Sequence, residues 1–242
     1  MARSSRILIL FCLAACGAAP GHAQIVSGSL GATSDFVFRG ISLTRGKPAA
    51  QASLDIEFPH EFYVGAFAAM ADPNPGPSPD VEIDAWIGRY WRVSDDFSAD
   101  VRLSQYTYPD DPRRFNYNRS ELTSTLGFRD SVYLAAVYSP NTKAVGSKPG
   151  YKDGDAWAFE LSGRRSLSER WALSAGVGHY ALDEVYGGSY YYWNATVTAI
   201  LAPFELQLAY LGVDDVAERH FLEDSTGDRL ALTALWRFSS SN

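Results

Sequence analysis

Charged side chains alternate with apolar ones along several stretches of this chain. Glu82 and Asp84, for example, stand between Val81, Ile83 and Ala85. Since successive side chains of a strand point to opposite faces, this pattern predicts strands with one charged and one apolar face. Carboxylate and guanidinium groups collected on the charged face could pair with one another, or they could line a water-filled passage and select the ions that enter it.

Ten residues on the predicted charged faces are our candidates for lining such a passage. They are Arg39, Lys47, Asp55, Glu57, Glu82, Asp84, Asp100, Arg102, Arg119 and Glu121. Acidic and basic side chains nearly balance over these faces. If water fills the space between them, opposed walls of unlike charge create a transverse field in a narrow pore. If the side chains pair across the centre, they fill the space, as they do in many small barrels.

About twelve runs of roughly ten residues carry the alternation, and each run predicts a strand. The runs are Ile25–Arg39, Lys47–Phe58, Phe62–Ala71, Val81–Arg92, Phe97–Tyr108, Tyr117–Arg129, Val132–Tyr138, Asp155–Arg165, Trp171–Ala181, Tyr190–Leu201, Phe204–Leu211 and Arg229–Phe238. The clearest pattern lies in a predicted hairpin from Ser34 to Phe58, where Leu54 faces away from Asp55 and Glu57. Between the runs, short turns such as Pro59–Glu61 alternate with long loops.

Aromatic residues form two groups at opposite ends of the predicted strands. Near the short turns lie Phe58, Phe62, Trp91, Phe97, Phe128, Tyr133, Trp171, Phe204, Trp236 and Phe238. Near the long loops lie Phe36, Phe38, Tyr106, Tyr108, Tyr117, Tyr138, Tyr190–Trp193 and Tyr210. Two aromatic belts and alternating connection lengths are typical of a barrel that crosses a membrane. The sequence therefore predicts an all-β fold, a single antiparallel transmembrane β-barrel of about twelve strands.

The first residues have the pattern of a secretory signal peptide. Arg3 and Arg6 precede an apolar run that is too short to span a bilayer, and Gly21–Ala23 offers small residues for cleavage. A lipoprotein signal that ends in an acylated Cys16 is the alternative. We therefore expect a signal peptide over residues 1–23 and a barrel domain over residues 24–242.

The composition excludes several classes of partner and site. The formal charge of the 242-residue chain is −7, which argues against nucleic acid as a partner. Both cysteines lie in the predicted signal peptide, so the mature chain offers no thiol for a disulfide, a metal or catalysis. The three histidines outside the predicted signal peptide, His60, His179 and His220, are scattered and predict no metal site.

Catalysis is not expected, nor is a cofactor. Some outer-membrane lipid hydrolases pair a lipid-facing histidine with a serine two residues later. His179 has that position here, but Ala181 stands where the serine would be. Acidic residues of the last long loop could bind divalent cations or bridge them to lipopolysaccharide, or they form a solvated loop. They are Asp214, Asp215, Glu218, Glu223, Asp224 and Asp228.

The segment S-D-F-V-F-R-G-I-S, residues 34–42, is followed by G-K-P-A at 46–49. It resembles the N-terminal signature of the TorF-type porins, a group of bacterial outer-membrane proteins also grouped as the Gcw_chp family. Leu43 and Arg45 depart from the polar or acidic residues usual there. The resemblance extends over the whole chain in length and layout. It implies a channel for small solutes in the outer membrane of a Gram-negative bacterium.

From this resemblance we expect a porin for the passive diffusion of small polar solutes, and not an enzyme. The alternative is a closed barrel with a structural or adhesive role through its long extracellular loops. A soluble barrel that binds a ligand inside is disfavoured by the charged inner face. Expected partners are outer-membrane lipid, lipopolysaccharide and small polar solutes. The barrel-assembly machinery is also expected, because the last run, L-A-L-T-A-L-W-R-F, resembles the C-terminal signal that this machinery recognises.

Overall fold

Twelve strands of the computed structural model close into one antiparallel barrel, which confirms the predicted fold class. The structure describes residues 24–72, 80–109, 118–144 and 151–240. The barrel strands are β1 (Ile25–Thr33), β4 (Ala49–Glu57), β5 (Phe62–Ala71), β6 (Asp80–Arg92), β7 (Phe97–Thr107), β8 (Arg119–Phe128), β9 (Val132–Thr142), β10 (Gly154–Ser166), β11 (Trp171–Ala181), β12 (Tyr190–Leu201), β13 (Phe204–Val213) and β14 (Arg229–Ser239). Strand β1 pairs with both β4 and β14, so the sheet has no free edge.

The remaining elements are short and lie between the barrel strands. A hairpin of β2 (Val37–Phe38) and β3 (Ile41–Ser42) follows β1. Helices α1 (Asp183–Tyr186) and α2 (Asp215–His220) and two 3-10 turns (Pro59–Glu61 and Glu223–Ser225) complete the described elements. None of the helices in the described ranges is long and apolar enough to cross a membrane.

The barrel is apolar outside and polar inside. Leu54, Val101 and Leu122 point outward and are 42%, 38% and 45% exposed. Glu82 and Glu121 point into the barrel and are buried. This polarity follows from the period-two alternation and is the arrangement that lipid outside and a polar lumen inside require.

The connections differ in length at the two ends of the barrel. Five turns of two to four residues join strands at one end, which we name the short-turn end. Six connections of eight to fifteen residues lie at the other end, which we name the loop end. Because Ile25 pairs with Glu57, just before a short turn, β1 begins at the short-turn end. This layout confirms the predicted alternation of turns and loops.

The aromatic belt at the short-turn end faces outward as predicted. Phe62, Phe97, Trp171 and Phe204 are each about half exposed there. Arg89 also faces outward in this belt, where its guanidinium carbon lies 4.9 Å from the ring centroid of Phe62 and 5.0 Å from that of Trp91. One predicted member, Tyr133, instead points inward, because it pairs with Gly127 on the inner face.

The predicted belt at the loop end is only partly correct. Tyr191 and Tyr210 face outward and are exposed. Tyr106, Tyr108, Tyr190 and Tyr192 were also expected in this belt, but they point into the lumen and are buried. Alternation places them there, because Tyr106, Tyr190 and Tyr192 share a face with inward residues of their strands, and Tyr108 continues the inward face of β7 just past its end. Tyr117, another predicted member, lies outside the described residues.

The predicted first strand, Ile25–Arg39, is wrong beyond Thr33. The chain leaves the barrel wall at Ser34 and returns at Ala49, and residues 34–48 fold into the lumen as what we name the inward loop. The predicted hairpin Ser34–Phe58 is therefore a membrane strand only from Ala49 onward. Most other predicted runs within the described residues match the observed strands closely, but β9 extends to Thr142, four residues beyond the predicted end at Tyr138.

Candidate functional site

The inward loop is fastened to the barrel wall by the carboxylate of Asp35. Ser42 Oγ and Thr44 Oγ1 donate to Asp35 Oδ1 at 2.5 and 2.8 Å. Arg229 Nη1, on β14, donates to Asp35 Oδ2 at 2.7 Å. Because Asp35 is buried, these donors replace the water that the carboxylate loses. The acid therefore fixes the loop to the wall.

The turn between β2 and β3 places Arg39 at the tip of the inward loop. Arg39 and Gly40 both have positive φ, 47° and 78°. A side chain at Gly40 would collide with Val213 and meet Tyr192, so only glycine fits this close approach to the wall. Backbone hydrogen bonds join the two ends of the loop to the barrel, such as the bond from Ser34 N to the carbonyl of Leu232.

Arg39 reaches across the lumen to the opposite wall. Its Nη1 and Nη2 donate to Oε1 and Oε2 of Glu121, on β8, at 2.8 and 3.0 Å. Its Nε donates to Oε1 of Glu160, on β10, at 3.3 Å. Tyr192 also donates to Glu160 Oε1, at 2.6 Å, and the guanidinium lies 4.6 Å from the ring centroid of Tyr180. The tip of the loop is therefore joined to β8, β10 and β11.

A second guanidinium, that of Arg119, extends this cluster along β8. Arg119 Nε lies 3.3 Å from Glu121 Oε1. Its guanidinium carbon lies 3.9 Å from the ring centroid of Tyr106 and 4.5 Å from that of Phe38, on the inward loop. All four side chains lie within the lumen, where charged hydrogen bonds are stronger than in water.

An ion pair at the loop end closes the base of the inward loop. Arg45 bonds to the carboxylate of Asp72 and lies 3.2 Å from that of Asp224. The hydrogen bond to Asp72 raises the pKa of the Arg45 guanidinium. Lys47 Nζ also lies 3.2 Å from Asp72 and is largely exposed. Arg45, which stands where the family usually has a polar or acidic residue, is thus held by an ion pair with Asp72.

The wall formed by β4, β5, β6 and β7 is acidic. Away from the strand ends, its inner face carries five carboxylates and one guanidinium: Asp55, Glu57, Glu82, Asp84, Asp100 and Arg102. Arg92, at the end of β6, pairs with Asp130. Tyr63 donates to Asp100 at 2.7 Å, and Tyr108 donates to Glu82. Among the described residues, none of these six charged groups has an ion-pair partner within 4.0 Å. The wall therefore carries net negative charge toward the lumen.

The lumen admits solvent from the short-turn end as far as Arg39. Ser162 and Glu160 face inward on β10, yet Ser162 is exposed and the Glu160 side chain is 36% exposed. On the loop side of Arg39, Tyr190 and Val213 are buried. Within the described residues, the lumen is thus a vestibule that ends at the layer of Arg39, Arg119, Glu121 and Tyr180.

The structure places all ten candidate residues in or beside the lumen, at three levels. Arg39, Arg119 and Glu121 form one cluster, with Glu82 and Asp84 beside it on the acidic wall. Asp55, Glu57, Asp100 and Arg102 lie toward the short-turn end, and Lys47 lies at the loop end. The sequence placed Arg39 in a strand of the barrel, but the structure places it in the inward loop, which corrects that prediction. Their role in lining a pore stays a prediction.

The sequence did not single out several residues that complete the cluster. The sequence did not predict that Tyr180 and Tyr192 lie in the lumen near Arg39. One sign of this was available for Tyr192, which pairs with Gly178 and has room for its ring because glycine lacks a side chain. The anchoring role of Asp35 was equally hidden, because its partner Arg229 is 194 positions away. A search for aromatic residues that face inward and pair with glycine would have identified Tyr192.

The histidines lie apart from the cluster. His60 is in a short turn, and His179 faces outward, 4.7 Å from the ring of Tyr191. His220 Nδ1 lies 3.0 Å from the hydroxyl of Tyr151 at the loop end. Over the ranges that the structure describes, no group of three or more potential ligand side chains could hold a metal ion. Asp214 of the acidic loop caps α2 instead.

Among solved structures, the barrel is similar to two porins of nearly the same size. The KdgM porin has 8% sequence identity and a TM-score of 0.54, and the match covers 88% of this chain and 99% of that chain. The NanC porin has 7% identity and a TM-score of 0.55, with 88% and 98% covered. At this identity the likeness shows the fold alone, a closed antiparallel barrel that this chain shares with these porins.

The family follows from the sequence comparison. The model of the family described as "Bacterial protein of unknown function (Gcw_chp)" matches residues 15–237, and the chain belongs to this family. The resemblance carried by residues 34–49 is thereby confirmed at the level of this family. A search of the curated proteins finds no match.

Proposed function

We propose that this chain is an outer-membrane porin through which small polar solutes diffuse passively. The observation that carries this proposal is the polar vestibule inside a barrel with an apolar outer face, which reaches the partly exposed carboxylate of Glu160. A polar lumen of this kind suits water and small hydrated solutes. The fold of the KdgM and NanC porins supports the same conclusion.

In this proposal the tip of the inward loop forms the constriction. Arg39 crosses the lumen and is held there by side chains of the opposite wall, whereas the backbone of the loop is bonded to the barrel at the ends of the loop. A shift of one side chain can therefore widen the passage without breaking the barrel sheet. Solutes must be small enough to pass when Arg39 moves.

The cellular setting is part of the same proposal. Residues 1–23, which lie outside the described residues, act as the cleaved signal peptide, and residues 24–242 form the barrel. The barrel-assembly machinery inserts the chain so that the short turns face the periplasm and the long loops face lipopolysaccharide. On this view the chain is a TorF-type porin and not an enzyme.

The closed barrel with a structural or adhesive role is the second candidate. The burial of Glu121 and Arg39, which are 1% and 6% exposed, favours it, because these side chains fill the lumen at one level. A permanently closed lumen would leave the long loops as the functional part of the molecule.

Liposome swelling distinguishes the two candidates. Refolded protein in vesicles would be diluted into iso-osmotic solutions of glycerol, glucose and raffinose, with protein-free vesicles as the control. The porin predicts swelling that slows as the solute grows. No swelling with glycerol, despite a correctly inserted barrel, would contradict the porin and favour the closed barrel.

A further inference from the structure

We propose that the wall around Arg39 is a binding site for the guanidinium or ammonium group of a cationic solute, and that Arg39 occupies it as a tethered competitor. The site consists of Glu121, Glu160, Tyr180 and Tyr192. This inference rests on the proposed function, because a solute reaches the site through the lumen.

The two carboxylates surround the guanidinium as a receptor would. Glu121 binds both terminal nitrogens of Arg39, at 2.8 and 3.0 Å, and Glu160 binds Nε at 3.3 Å. A carboxylate matches the planar guanidinium fork with two parallel hydrogen bonds, and it can also accept a hydrogen bond from an ammonium group. The hydroxyl of Tyr192 holds Glu160 in place at 2.6 Å. All of these acceptors belong to the barrel wall and stay when Arg39 leaves.

An aromatic face completes the site. The Arg39 guanidinium carbon lies 4.6 Å from the ring centroid of Tyr180, a buried residue of β11. A cation over an aromatic ring gains additional stabilisation when water is excluded. Since Tyr180 also belongs to the wall, the ring remains available to another cation.

Buried polar atoms near the site have no partner among the described residues. They are Ser139 Oγ on β9, Ser104 Oγ opposite Glu121 on β7, Asp84 Oδ1 on the acidic wall, and one donor, Arg119 Nη2. Ser139 is 1% exposed and Asp84 is 7% exposed, and both face the lumen. Such atoms are rare in native proteins and commonly mark a place for water or a ligand. The oxygens among them offer acceptors beyond those that Arg39 uses.

The charge of the site favours cations once Arg39 is displaced. The remaining cluster has one cation, Arg119, against the two carboxylates of Glu121 and Glu160, so the site keeps an excess of negative charge. A narrow passage lined by charge of one sign raises the local concentration of counter-ions. Anions would meet repulsion at the same place.

Competition between Arg39 and a free cation gives a direct test. The probe is L-argininamide in planar bilayers, and urea is its neutral planar control. If Arg39 occupies the site, Arg39→Ala should lower the argininamide concentration that halves the current about tenfold or more. Arg39→Gln, which keeps more of the side-chain volume, should do the same and guards against misfolding of the alanine variant.

The reverse effect is expected when the acceptor is removed. Glu160→Gln in the Arg39→Ala background should raise the half-blocking concentration again, whereas Arg129→Ala, an exposed arginine at the short-turn end, should behave as the wild type. If the Arg39 variants conduct but argininamide acts no better than on the wild type or than urea, this inference is overturned and the porin stands. If no variant conducts, the porin itself is overturned, and the inference with it.

Discussion

Arg39 and Glu121 form a bidentate ion pair, with nitrogen–oxygen distances of 2.8 and 3.0 Å, although 82 positions separate them in sequence. Glu121 lies on β8, five strands away from β1 around the barrel. The pair therefore spans the lumen. It ties the segment that carries the N-terminal motif to the opposite wall, at a level where both side chains are buried.

Removal of the Arg39 side chain should open the lumen at a cost in stability. We expect Arg39→Ala to increase conductance and to lower the free energy of unfolding by about 1–3 kcal/mol, because Glu121 loses two charged hydrogen bonds but keeps Arg119. Urea titration followed by tryptophan fluorescence measures the second effect. Arg129→Ala is the matched control. Unchanged conductance in a folded Arg39→Ala barrel would contradict the constriction.

The anchor of the inward loop gives a second prediction. Asp35→Asn removes the charge that Arg229 pairs with and weakens the bonds from Ser42 and Thr44, so the loop should leave the lumen more often. We expect noisier single-channel current and faster proteolysis within residues 34–48. Asp155→Asn, which loses only a bond from Tyr138 near the loop end, is the control. Equal proteolysis rates in the two variants would argue against the anchor.

The acidic wall should set ion selectivity and contribute little to stability. Asp84 and Arg102 have no ion-pair partner among the described residues, so Asp84→Ala should shift the reversal potential in a KCl gradient toward chloride, and Arg102→Ala should shift it toward potassium. Each should change the unfolding free energy by less than about 1 kcal/mol, because no ion pair is broken. Large destabilisation with unchanged selectivity would instead indicate that these side chains fill a closed lumen.

The outward face can be tested through Leu122. A charge there would contact lipid, so Leu122→Arg should destabilise the inserted barrel by about 2–4 kcal/mol. Ser162→Arg places the same side chain on the exposed inner face and should cost far less. Refolding yield into lipid vesicles, read from the mobility of unheated samples on gels, compares the two. Equal yields would contradict the assigned faces.

The barrel could be predicted because its signal is local. The runs Phe62–Ala71, Trp171–Ala181 and Tyr190–Leu201 match β5, β11 and β12 at both ends. In each strand, lipid on one side and polar side chains on the other impose a period of two that the sequence records directly. The positions of Glu82, Asp84 and Glu121 on the inner face follow from the same period.

The inward loop could not be predicted, because its local pattern is also that of a strand. Phe36, Val37, Phe38 and Arg39 alternate as membrane strands do, and β2 is itself extended. What turns the chain inward is a set of distant contacts, above all Arg229 with Asp35. Contacts between residues so far apart in sequence cannot be inferred from the local pattern. The positions of Tyr180 and Tyr192 beside Arg39 could not be predicted for the same reason.

Single-channel recording in planar bilayers tests the central claim most directly. Refolded wild-type protein and Arg39→Ala would be inserted separately, and current would be recorded in KCl over positive and negative voltages. We predict discrete current steps for the wild type and larger steps for Arg39→Ala. No current above background at any voltage from either protein, with insertion verified, would contradict the assignment of this barrel as a porin.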